Sequence, residues 1–214
     1  MADVVSAMNA GGTQDVRAIK TVPLLWRLLE GSDPPPGPAV EMLELMADWR
    51  EAGGSRLDRD LDGLIDHPGA AAMDVAWPRI ADALMGPKLG PQLAEFRTLV
   101  PRYELPPSGQ YSGWHQYFDR DVRELLGLPV ERPFDNSYCG NGRLRACQAA
   151  IWNAIAEAGA ELTAAQGSPD PNAWRSDATR ERIRFVPGLL PTTMRYTNRP
   201  SGIQQVISFK RGGG

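Results

Sequence analysis

Gly142–Gly167 reads "GRLRACQAAIWNAIAEAGAELTAAQG", and its spacing sets the fold class. Leu144, Cys147, Ile151, Ile155, Ala158 and Leu162 recur at intervals of three and four. That spacing puts them on one face of a helix. Gly167 supplies the stop. A long helix with a single apolar stripe must be covered by other elements, so the chain is expected to be built from packed helices.

The same period appears upstream. Val22, Leu25, Trp26 and Leu29 mark a shorter stripe, and "GSDPPPGP" then ends it, because successive prolines remove backbone donors and fix φ. In "AVEMLELMADWREAGG", Met42, Leu45, Met46 and Trp49 share a face, and Gly53-Gly54 forms a stop. "PGAAAMDVAWPRIADALMG" resumes helical spacing, with Pro68 suited to a first turn and Pro78 expected to bend or divide the helix. "PQLAEFRTLV" and "WHQYFDRDVRELLG" read as two short helices. "DPNAWRSDATRERI" reads as one more capped turn or helix starting at Asp170 or Asn172.

Beyond this the composition changes. "RFVPG", "TTMRYTN" and "QQVISF" carry the β-branched and aromatic residues of short strands. The expected class is therefore α+β: one domain over 1–214, helical over 1–178, with a strand-rich tail over 183–209.

Composition narrows the function. A net charge of −3 with no basic face argues against nucleic acid as the main partner. No apolar run approaches the roughly 18–20 residues of a membrane-spanning helix, so no membrane role is expected. "MADVVSAMNAGG" has neither the basic flank nor the apolar core of an export signal. Cys139 and Cys147, in "YCGNGRLRAC", are too few for a structural zinc site and lack redox spacing. Spacing alone leaves open a disulfide or two buried thiols.

The strongest local signal is Arg56–Gly69, "RLDRDLDGLIDHPG". Asp58, Asp60, Asp62, the Leu64 carbonyl and Asp66 occupy the first, third, fifth, seventh and ninth places of a calcium loop. Calcium takes six to eight oxygens, and alternating aspartates converge when a glycine lets the loop curl. The twelfth place holds Gly69 instead of a bidentate Glu, so the loop is not an EF-hand, and Asp74 is one substitute ligand. The other reading is a solvated acidic turn partly neutralised by Arg56 and Arg59. In either case the expected role is structural.

No catalytic residue emerges. His67 reads as a surface group and His115 as a helix-start residue among aromatics. No GxSxG, Walker or GxGxxG pattern is present.

The tail "MRYTNRPSGIQQVISF" (Met194–Phe209) resembles the closing segment of the penicillin acylase family of N-terminal nucleophile hydrolases. Other stretches resemble that family in the same order: "ADVVSAMNAGGTQDVRAIKTVPLL", "REAGGSRLDRDLDGLIDHPGAAAMDVAWPRI", "YCGNGRLRACQAAIWNAI" and "AWRSDATRERIRFVPG". The resemblance covers nearly the whole chain and corresponds to the C-terminal part of the large subunit.

It implies a four-layer αββα fold to which the tail strands belong. It also implies hydrolysis of N-acyl amides such as penicillins or acyl-homoserine lactones. In such enzymes an N-terminal serine is nucleophile and base in one residue. No stretch here matches the context of that serine, so no catalytic residue transfers and the chain is expected to be inactive alone. The implied partners are the remainder of the precursor, or a second copy covering unpaired strand edges. The implied place is secreted or periplasmic, which favours the Cys139–Cys147 bridge. A stand-alone calcium-binding interaction module and a truncated product without function are the alternatives.

Overall fold

The computed structural model describes residues 14–99, 114–184 and 193–195. Six α-helices make up most of what is described: α1 (Val22–Leu29), α2 (Ala39–Glu51), α3 (Pro68–Leu89), α4 (Pro91–Leu99), α5 (Trp114–Leu125) and α6 (Leu144–Gln166). A π-helical turn, Arg17–Thr21, leads into α1. The described chain closes with two three-residue strands, β1 (Arg182–Arg184) and β2 (Thr193–Arg195), paired antiparallel with Ile183 opposite Met194. The described residues are thus mostly helical. The "QQVISF" strand and the "MADVVSAMNAGG" segment lie outside the described residues.

The most extensive contact is between α3 and α6, and α2 packs against both. Small residues permit this close approach. On α3 the buried set includes Gly69, Ala70, Ala71, Ala72 and Ala76, and on α6 it includes Ala154, Ala158 and Gly159. A Cβ at Gly69 would strike the Trp49 side chain of α2 and lie 2.6 Å from the Leu45 carbonyl oxygen. The bulk between the helices comes from Trp49, Trp77, Met42, Met46, Ile151 and Ile155, all buried. Hydrogen bonds fasten α6 to the end of α1: Gln148 donates to the Leu28 carbonyl at 2.8 Å, and Trp152 Nε1 donates to Ser32 Oγ at 2.8 Å.

Two sequence expectations need correction, and a third is narrowed. Trp26 is 43% exposed, because α1 buries Leu24 and Leu28 beside Leu25 and turns the Trp26 side outward. The spacing of Val22, Leu25 and Leu29 fits either choice, so periodicity did not distinguish the two faces. Leu144, at the first turn of α6, is 38% exposed, and the covered stripe begins at Cys147. Of the two outcomes expected at Pro78, a bend or a division, division does not occur: α3 continues through Pro78 and Pro87 to Leu89.

Cys139 and Cys147 form a disulfide with Cα atoms 4.9 Å apart, inside the usual range of about 4.4–6.8 Å. The turn between them requires Gly140. Its φ is +56°, and a Cβ there would collide with the Cys147 backbone nitrogen and come within 2.9 Å of the Ala146 carbonyl carbon. Buried Asp121 of α5 holds the same turn, accepting the Tyr138 N–H at 2.8 Å and the Cys139 N–H at 2.6 Å. Burial pushes its carboxyl up, against the opposing effect of those two donors.

Candidate metal centre

The acidic loop joins α2 to α3, and its own side chains build it. Asp58 Oδ2 accepts the Gly63 N–H at 3.1 Å, Asp60 Oδ1 accepts that of Asp62 at 3.3 Å, and Asp62 Oδ1 accepts that of Leu64 at 2.7 Å. Asp66 Oδ1 accepts the Arg59 N–H at 3.0 Å and so closes the loop. Short acidic side chains bonding to backbone two to seven residues away compete with regular structure, and this keeps the stretch out of either helix. At the apex Leu61 has a φ of +63° and is 82% exposed.

The expected ligands are not all brought together. Asp58, Asp60 and Asp66 each present an oxygen within 4.8 Å of the others. Asp62 is not in this group, and its Oδ1 accepts the Leu64 N–H. Leu64 forms an isolated antiparallel bridge with Asp177. Around that bridge, Ile65 N–H donates to the Ser176 carbonyl at 2.8 Å and Ala178 N–H donates to the Gly63 carbonyl at 2.9 Å. The loop is therefore stitched to the segment that precedes β1.

A cavity of about 280 Å³ opens beside the loop, lined by Asp60, Asp62, Asp66, Leu64, Arg59 and Arg175. An ion pair within the loop is weak: Arg59 Nε lies 3.8 Å from Asp66 Oδ2, and the Arg59 side chain is 74% exposed.

Asp74 is not a ligand of this loop. Its Oδ1 accepts from Arg17 at 2.7 Å and from Arg56 at 2.9 Å; its Oδ2 accepts from Arg56 and from Ser176 Oγ, both at 2.7 Å. Arg17 also grips Asp15, with Nη2 2.5 Å from Oδ2. Arg56 is drawn into this network as well. Asp15, Arg17, Arg56 and Asp74 form a buried quartet with two charges of each sign. Burial alone would push both carboxyls up. The guanidinium groups outweigh it, Arg17 above all at Asp15 and Arg56 at Asp74, and hold both below the usual carboxylate range.

Sequence reasoning missed this quartet because its members are scattered over sixty residues. The available signal was Asp74 itself, a lone acid in the apolar run "GAAAMDVAW". Such a residue needs a buried partner of opposite charge.

His67 is also more than a surface group. It is the N-cap of α3, and its Nδ1 accepts the Gly69 N–H at 3.1 Å. Partial burial lowers its pKa from the ordinary value. His115 lies in the first turn of α5.

Chemically, the loop can hold a hard cation, whereas the quartet is internally balanced and takes no further charge. Among the described residues, the two cysteines are bonded to each other. No helix there is long and apolar enough to cross a membrane. Neither a family model nor a curated protein matches the chain.

Proposed function

We propose that this chain is the C-terminal portion of the large subunit of a penicillin acylase-type amidohydrolase, working with the remainder of its precursor and without hydrolytic activity by itself. The observation that carries this reading is the turn at Tyr138-Cys139-Gly140. It is closed by a disulfide onto the first turns of the long helix α6, in one of the segments that resemble the family. The bridge accords with an exported, secreted or periplasmic protein. In this reading β1 and β2 belong to strands that complete the four-layer αββα sheet, with partner strands supplied by the rest of the enzyme.

The test is an assay of the purified chain against chromogenic N-acyl anilides. No turnover is expected. Turnover that a point mutation within this chain abolishes would overturn the reading. Co-expression with an upstream reading frame encoding the serine segment is expected to restore hydrolysis. The absence of such a frame favours the rival, a stand-alone calcium-dependent module, for which the clustered aspartates are the supporting observation.

A further inference from the structure

We infer that Asp58, Asp60 and Asp66 form a calcium site that clamps the α2–α3 loop to the segment before β1, whether or not the chain belongs to an acylase. Clustered carboxylates alone would not support this, since acidic turns are common on surfaces. The added observation is Asp58. The residue as a whole is partly exposed, yet it is the buried member of the three. Its Oδ2 accepts the Gly63 N–H, whereas its Oδ1 is shut off from solvent without any hydrogen-bond donor. A buried carboxylate oxygen with no partner is costly. It lies on the carboxylate that joins Asp60 and Asp66. A cation among the three supplies the partner that Oδ1 lacks and removes the repulsion between three like charges.

The chemistry favours calcium over other biological cations. All three side-chain ligands are hard carboxylate oxygens, with no histidine or cysteine among them. Asp60 and Asp66 are exposed, which leaves room for water to complete a coordination number of six to eight. Magnesium demands near-octahedral geometry and sheds its water reluctantly, so this irregular loop suits it less well.

The ion's effect would extend beyond the loop. Gly63 and Ile65 flank the bridge to Asp177 and bond to Ala178 and Ser176. Ser176 in turn bonds Asp74. Fixing residues 58–66 thus fixes the segment 176–178 and the start of β1.

The experiment is isothermal titration of the full, chelator-stripped chain with calcium chloride and with magnesium chloride, read beside amide hydrogen exchange. One calcium per chain, bound at least about tenfold more tightly than magnesium, is expected. The Ile65 and Ala178 amides should exchange more slowly with calcium present. Asp60→Asn, at an exposed position, keeps the fold by circular dichroism and weakens calcium binding by about tenfold or more. Asp62→Asn should bind as the parent does. Absence of calcium binding by the parent chain would overturn the inference. So would loss of binding in Asp62→Asn with retention in Asp60→Asn. These outcomes do not depend on amide hydrolysis, so they stand apart from the acylase assay.

Discussion

Asp74 and Asp58 are both aspartates near the α2–α3 connection, but their surroundings oppose each other. Asp74 has four donors from Arg17, Arg56 and Ser176. Asp58 has one backbone donor and one buried oxygen without a partner. The first carboxylate is balanced by the chain itself, and the second is the one at which we infer a cation. Counting acids in the sequence cannot make this distinction. What decides it is where the arginines go, and Arg56, two residues from Asp58, turns inward to Asp74.

The largest effect should come from unbalancing the quartet. Asp74→Ala takes from Arg17 and Arg56 a buried partner that they share, and removing one partner of a buried pair costs about 3–5 kcal/mol. Urea unfolding measures this, and a loss below about 1 kcal/mol would break the contrast drawn here. The quartet also sets an acid response. Because Asp15 and Asp74 are depressed in the fold, their stabilisation is complete above the unfolded value near 4 and is lost as pH falls through the folded values. Stability followed downward from about pH 5 should show that loss, and Asp74→Ala should flatten it.

Next comes the disulfide, a covalent closure to set against the ionic one. Cys147→Ser with Cys139→Ser should cost about 2–3 kcal/mol, the loop-entropy value for a short ring. Free-thiol counting on the denatured parent chain should find none. A smaller effect is expected at the helix cap. His67→Ala should lose about 1 kcal/mol in the range where imidazole is neutral. His67 is lowered in the fold, so its contribution is complete above the unfolded value near 6.5 and falls away as pH drops through the folded value. Thermal melts of parent and variant at pH 8 and pH 5 should therefore converge at the lower pH.

Much of the fold was legible because it is periodic. The faces of α2 and α6 were readable from spacing, since Met42, Met46, Trp49, Ile151 and Ile155 each have neighbours three or four residues away. The loop ligands were legible in part: alternation brought Asp58, Asp60 and Asp66 to notice, but it could not show that Asp62 turns to the Leu64 amide. Trp26 was misread because two overlapping stripes on α1 are equally regular, and contact with the rest of the molecule selects between them. The quartet left no periodic trace at all. It depends on Asp15, Arg56 and Asp74 meeting in space, and that follows from how the helices pack rather than from any one stretch.

The bond from Ser176 Oγ to Asp74 has a kinetic consequence. It joins positions 102 residues apart, and so large a closure is entropically unfavourable until the intervening helices have docked. The α2–α3 hairpin is local and can assemble early, whereas residue 176 reaches Asp74 only after α6 is in place. The contact should therefore be absent from the folding transition state. Ser176→Ala is expected to speed unfolding while leaving the refolding rate nearly unchanged, as stopped-flow chevrons would show. The last bond to form would then be among the first to open, making this junction the place where the native chain begins to come apart.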